Sequence, residues 1–204
     1  MFPNRNQSTC GTTGAASVYT YSNLLTAAAM FPEFLNEGSV SDKKRELAAF
    51  LGQIAHETTG GGGGWCGVVT NPNSDCFNWG LCFTEERRCI DTPCPDYNDV
   101  GNPTYPIAAG KTYHGRGAMQ LSYNYNYGPA SEEMYGDKMY LLNNPDLVKT
   151  SAWAFRTAIW FWMDATSSRP SPHRIILGTA TGDSRAATFG AVTNAINGGL
   201  ECTP

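Results

Sequence analysis

The chain has 204 residues, with 14 Lys+Arg against 18 Asp+Glu and a net charge of −4. That length suits one domain, and the lack of a basic excess argues against a nucleic-acid partner. Charged residues are only 16%, under the roughly 25% usual for soluble domains, so the surface draws on Ser, Thr, Asn, Gly and Tyr. The longest apolar stretch, Ala158 to Met163, falls far short of the roughly 18 residues that span a bilayer, and no membrane partner is expected.

In chain order, the polar opening Met1 to Gln7 has no hydrophobic region of a signal peptide. It reads as the tail of a mature chain, residues 1–17, ahead of one domain over 18–204. Thr20 or Ser22 can cap a helix carrying Leu24, Leu25, Ala28 and Phe31, which Pro32 stops. A second helix is expected from Ser41, with Asp42 in its first turn and Leu47, Phe50, Leu51 and Ile54 on its buried face, ending near Gly60. The span from Trp65 to Gly110 reads mostly as loop. Five of the 7 cysteines, at positions 66, 76, 82, 89 and 94, crowd this region, which suits disulfide staples and an oxidising compartment. A zinc site competes, but CxxC spacing is missing. The odd count leaves a thiol over, with Cys202 the natural candidate. A third helix over 151–164 is apolar nearly all round and belongs in the centre of a core. A fourth runs from about Asp183 to a stop at Asn197-Gly198-Gly199.

Glu57 falls on the apolar face of the second helix, in its last turn. Burial and the partial negative charge of the helix C-terminus both favour its protonated form, which suits a general acid. The competing reading is a structural ion pair with an Arg such as Arg156. His56-Glu57-Thr58-Thr59-Gly60 lacks the second His of a zinc protease, so no metal is expected, and no GxSxG elbow supports serine catalysis. Gly60 to Gly64 has no Lys to make a phosphate loop. A glycosidase needs a second carboxyl across its cleft, and Glu85 and Glu86, between Cys82 and Cys89, are the candidates. Rings of Trp65, Trp79, Tyr113, Tyr123, Tyr125 and Tyr127, with polar groups of Gln120, Ser122, Asn124 and Asn126, suit a neutral polysaccharide.

The string Phe50-Leu51-Gly52-Gln53-Ile54-Ala55-His56-Glu57-Thr58-Thr59-Gly60-Gly61 resembles the catalytic signature of family 19 glycoside hydrolases, the plant-type endochitinases. Three further blocks agree in order: Tyr113-His114-Gly115-Arg116-Gly117 through Gln120-Leu121-Ser122 to Tyr127-Gly128-Pro129, then Asn144-Pro145-Asp146-Leu147-Val148 with the Trp-rich helix Phe155 to Met163, then Thr193-Asn194-Ala195-Ile196-Asn197 to Cys202. The resemblance implies a mainly α, lysozyme-like two-lobed domain with disulfide-stapled loops and a central cleft. It implies hydrolysis of the β-1,4 links of chitin with inversion, with Glu57 as general acid, Glu86 as general base and Ser122 helping to hold the attacking water. His56, Gln120, Tyr125, Asn126 and Asn197 then fall at the substrate, and Arg156 beside the catalytic carboxylates. It also implies a Cys10 to Cys82 bridge, no cofactor, a monomer acting on chitin or its oligomers, and secretion to the extracellular space or vacuole, as in plant defence.

Some features depart from the family. His114 stands where Tyr is common, the Gly60 to Gly64 run with Cys66 and Cys76 resembles an insertion, and no hevein-like module precedes the domain. The chain stops at Pro204, where relatives continue with a substrate-side Arg and a final Cys. A non-catalytic chitin-binding protein and a peptidoglycan hydrolase are the alternative functions.

Overall fold

The protein is described by a computed structural model covering residues 2–6, 10, 12, 14–59, 76–164, 169–179 and 189–202. Its α-helices are α1 (Ala15–Val18), α2 (Tyr21–Ala28), α3 (Val40–Glu57), α4 (Asn124–Tyr135), α5 (Met139–Asn143), α6 (Trp153–Met163), α7 (Pro172–Ile176) and α8 (Phe189–Glu201). Strand pairing among the described residues is limited to two isolated antiparallel bridges, Glu85 with Arg116 and Arg116 with Leu121. The architecture is therefore mainly α, as expected, and no described helix is long and apolar enough to cross a membrane.

Thr20 caps α2 by accepting from the Asn23 backbone N–H. The long helix α3 begins one residue earlier than its spacing suggests, because Ser39 and Asp42 form a reciprocal capping box. Its buried face also differs: Leu47 is 37% exposed, while Glu46 is fully buried beside Phe50 and Ile54. A buried carboxylate is tolerable only when fully partnered. Glu46 accepts from Leu35 N (3.1 Å) and Trp162 Nε1 (2.9 Å), and lies 2.6 Å from His173 Nδ1. Those partners come from three separate parts of the chain, which is why helical periodicity alone missed them.

Helix α4 is not evident in the sequence, since Pro129 lies inside it and its buried face is built partly of Gly128, Ala130 and Ser131. The expected stop at Asn197 is a kink instead: Asn197 has φ −146° and helical structure resumes to Glu201. The expected start of α8 at Asp183 lies outside the described residues.

Two hydrophobic clusters form the core. One gathers Ala27, Phe50, Ile54, Phe155, Ile159, Trp162, Ile176 and Val192 from α2, α3, α6, α7 and α8. The other gathers Tyr113, Leu121, Tyr127, Leu141, Leu142, Val148 and Trp160. Helix α6 serves both, which is the central position its all-round apolar sequence predicts.

Between these clusters, residues 76–110 run as loop with single 3-10 turns at Cys76–Trp79, Arg87–Cys89 and Pro95–Tyr97. Disulfides Cys10–Cys82 and Cys89–Cys94 tie it down, and Cys202 is an exposed free thiol. Staples rather than zinc thus account for these four cysteines. Cys66 and the Cys76 side chain lie outside the described residues.

Burial alone would lower the His173 pKa, but Glu46 and Glu37 outweigh it and raise it above the ordinary 6.5. Glu46→Ala strands that imidazole and is expected to cost about 3–5 kcal/mol in urea unfolding. The deficit should be full below pH 6.5, the unfolded value, and shrink as pH rises through the raised folded value. A loss under ~1 kcal/mol at pH 6 would show that Glu46 does not hold these elements together.

Candidate active site

A cleft of ≈ 1010 Å³ opens where the C-terminal end of α3, the 83–92 loop, the 115–126 segment, α6 and α8 meet. Glu57, the last residue of α3, lies on one side. Withdrawal from water, with a smaller contribution from the negative charge of Glu201, raises its pKa from 4.5 to about 8. Proton retention was expected from burial and the helix terminus; the charge of Glu201 is the addition.

Glu86 lines the same cleft from the stapled loop, at the start of the 3-10 turn Arg87–Cys89. Its backbone N–H donates to Gly115 O at 2.7 Å. Gly115 lets the segments of chain approach closely: a Cβ there would lie 2.8 Å from Gln120 Oε1 and 3.3 Å from Ser122 Oγ, so Gln120 would have to move. This close approach lets Gln120 and Ser122 share the cleft wall with the loop. Ser122 Oγ donates to Gln120 O at 2.8 Å, and Asn126 Nδ2 to Ser122 O at 2.8 Å. Tyr125 stacks on Tyr123 with centroids 5.0 Å apart and planes within 7°. Glu57, Glu86, Gln120, Ser122, Tyr125, Asn126 and Asn197 all line this cleft.

Other expectations are corrected. Arg156 does not reach the cleft: it donates to Tyr135 Oη at 2.9 Å and lies over Trp153, on a different face of α6. His56 also stands off the wall, with Nε2 3.4 Å from Glu201 Oε1. Tyr113 and Tyr127 are fully buried core residues. Asn124, fully buried, braces the loop by accepting from Asp99 N and donating to Asp99 O and Tyr105 O. Trp79 does not line the cleft, and Trp65 lies outside the described residues. Nor is the cleft poor in charge, since Glu85, Arg87, Arg88 and Asp91 join Glu57 and Glu86 there. Whole-chain composition does not report how a few charges are grouped.

The least foreseeable group surrounds Glu85. Its carboxylate lies 2.9 Å from Lys149 Nζ through both oxygens and 3.4 Å from His114 Nε2. Burial by itself would raise this carboxyl, but hydrogen bonds from His114 and Lys149 and the charges of Lys149 and Arg116 hold it down at about 2. These partners are up to 64 residues away in sequence, and no local signal identifies them. Glu201 was also missed, although its place one turn after Asn197, whose Nδ2 donates to it at 2.9 Å, was a usable hint.

Among the described residues, one group has metal-ligand geometry: Glu33, Glu37 and His173, with ligand atoms within 4.8 Å. Arg174 already bridges the two carboxylates, and none of the four lines the cleft. This group is satisfied as an ion-pair network.

A family model described as chitinase class I matches residues 1–204. The chain belongs to glycoside hydrolase family 19. It is 44% identical to an endochitinase of Carica papaya, over 99% of this chain and 79% of that protein. It is 46% identical to chitinase 9 of Oryza sativa subsp. japonica, over 97% of this chain but only 56% of the relative. Among solved structures, the class IV family 19 chitinase of Zea mays matches with TM-score 0.66 and 32% identity, over 98% of this chain and 77% of that one. Chitinase C of Streptomyces griseus matches with TM-score 0.68 and 30% identity, over 96% and 69%. The chain thus spans from just over half to about four-fifths of the length of these family 19 relatives.

The raised Glu57 pKa sets a direction for stability. The folded state holds this proton more tightly than the unfolded chain, so stability is lost as pH rises from about 4.5 through about 8. Glu57→Gln cannot ionise, and its melting temperature relative to the unmodified protein should rise between pH 4 and pH 9. A constant difference across that range would place the Glu57 carboxyl in water.

Proposed function

We propose that the protein is an endochitinase that cuts β-1,4-linked N-acetylglucosamine chains with inversion of the anomeric centre. The observation that carries this reading is a single family 19 cleft holding Glu57, kept protonated to about pH 8, together with a second carboxyl, Glu86. Glu57 acts as general acid and gives its proton to the leaving glycosidic oxygen. Glu86 acts as general base on a water held with Ser122, and that water attacks the opposite face of the sugar. Gln120, Asn126 and Asn197 supply amide donors and acceptors for the N-acetyl and hydroxyl groups, and Tyr125 supplies an apolar face. Secretion belongs to the same proposal, supported by two disulfides in the described residues.

Incubation with chitin hexamer, followed by product and anomer analysis, tests the reading. Internal cleavage with initial release of the α-anomer is expected. Net retention would overturn the inverting assignment. Absence of cleavage with retained binding would favour a lectin-like role, and cleavage of peptidoglycan alone would move the substrate. Glu57→Gln should lower kcat by about 10²–10⁴-fold while hexamer still binds. In the unmodified enzyme, activity should fall as pH rises through about 8, because the acid then loses its proton.

A further inference from the structure

Glu85 and Glu86 are consecutive carboxylates at one cleft wall, yet their surroundings differ. Glu86 is partly exposed, whereas Glu85 is only 7% exposed. Glu85 is held from two directions, by Lys149 at the end of the 3-10 turn Pro145–Lys149 and by His114 from the 113–117 segment. His114 is itself buried, and its Nδ1 lies 3.1 Å from Thr112 Oγ1. Arg116 pairs with Glu85 through the backbone bridge and bonds Tyr127 Oη, Thr112 O and His114 O. The backbone between the two carboxylates is pinned as well, by Glu86 N to Gly115 O at 2.7 Å and by Gly117 N to Thr84 O at 2.8 Å.

We propose that Glu85 is a positioning residue for Glu86, in which its clamped carboxylate fixes the loop bearing the base and neutralises Lys149 and Arg116 beside it. The proposal rests on the reading of Glu86 as general base. That role needs a carboxylate able to draw a proton from water, and an uncompensated cation nearby weakens this ability. Lys149 and Arg116 are such cations, gathered by the turn and the 113–117 segment around Glu85, the residue next to Glu86. Each is paired with a carboxylate: Lys149 with Glu85, and both with Asp146, at 3.5 Å from Lys149 and 3.2 Å from Arg116. Asp146 is 65% exposed at its side chain, so water screens its contribution, and the buried Glu85 carries most of the compensation. The remaining charges lining the cleft are Arg87, Arg88 paired with Asp96, Asp91 and Glu57.

The clamp makes opposite demands of two substitutions. Glu85→Gln keeps the shape but leaves the cations uncompensated, and it also removes a negative neighbour of the base. The acidic limb of kcat/KM against pH, on hexamer, should then move down by about one pH unit. The same change should lower kcat about tenfold, because a weaker base draws less on water, with KM little altered. Lys149→Met leaves the Glu85 charge unpaired, and the limb should move up instead. Thermal melts establish that each variant is folded, and should one fail to fold, the direction seen in the other decides. Limbs that stay put, or that move the same way in both variants, would overturn the neutralising role and leave a purely structural clamp. Glu86→Gln separates the two levels of the argument. If it retains full kcat, the assignment of the base fails and the proposal with it; if it is inactive while both limbs stay put, only the role of Glu85 fails.

Discussion

Helix α6 is the constraint on which the rest of the structure depends. Trp153 to Met163 leaves almost no polar face, so the helix is stable only with apolar contact all round. Ile159 and Trp162 satisfy one cluster, Trp160 the other, and polar tips are paired where rings are buried: Trp162 Nε1 with Glu46 and Trp160 Nε1 with Glu133. Both clusters close on this one helix, and the cleft opens beside it. Phe161, on that helix, forms part of its wall.

Placing the two carboxyls, Glu57 and Glu86, on such a frame calls for different means. Glu57 is held by regular structure, as the last residue of an 18-residue helix. Glu86 stands on a loop with almost no regular structure, where disulfides do the work of a helix or sheet. Cys10–Cys82 closes 72 residues, and the chain-entropy model gives such a loop about 4 kcal/mol of stabilisation. Cys89–Cys94 fixes the turn just beyond Glu86. Among the described residues, sheet pairing contributes the Glu85, Arg116 and Leu121 bridges, where the loop meets the 115–121 segment.

The cleft also shows that burial does not determine the protonation of a carboxyl. Both Glu57 and Glu85 are withdrawn from water, yet one is raised to about 8 and the other held at about 2. Glu57 has another carboxylate, Glu201, as its charged neighbour; Glu85 has Lys149, Arg116 and a bonded His114. Desolvation acts in the same direction on each; it is the main cause for Glu57, whereas hydrogen bonds from His114 and Lys149 and nearby positive charge outweigh it for Glu85. In this way one cleft holds a carboxyl that keeps its proton and another that stays ionised.

Much of this was open to reading in the sequence. The central helix, the caps near Thr20 and Asp42, the stapled loop, the leftover Cys202 and the misplaced Glu57 are local or periodic features, and short-range patterns report them directly. Family motifs carried Glu86, Gln120, Ser122 and Asn126 to the cleft wall. What remained hidden was set by partners far away in the chain. Glu46 is inside and Leu47 outside because His173, Trp162 and Leu35 converge on that carboxylate. Asn124 and Tyr113 look like sugar ligands in a string of amides and rings, but packing puts both in the interior. Arg156 faces Tyr135 rather than the cleft carboxyls, while Lys149 and Arg116 gather around Glu85. Sequence alone determined which elements form and which residue types are available for chemistry, since those depend on neighbours within a few turns. Tertiary structure decided which carboxyl stays ionised in spite of burial, because His114, Lys149 and Arg116, which hold Glu85 down, are brought together only by the fold.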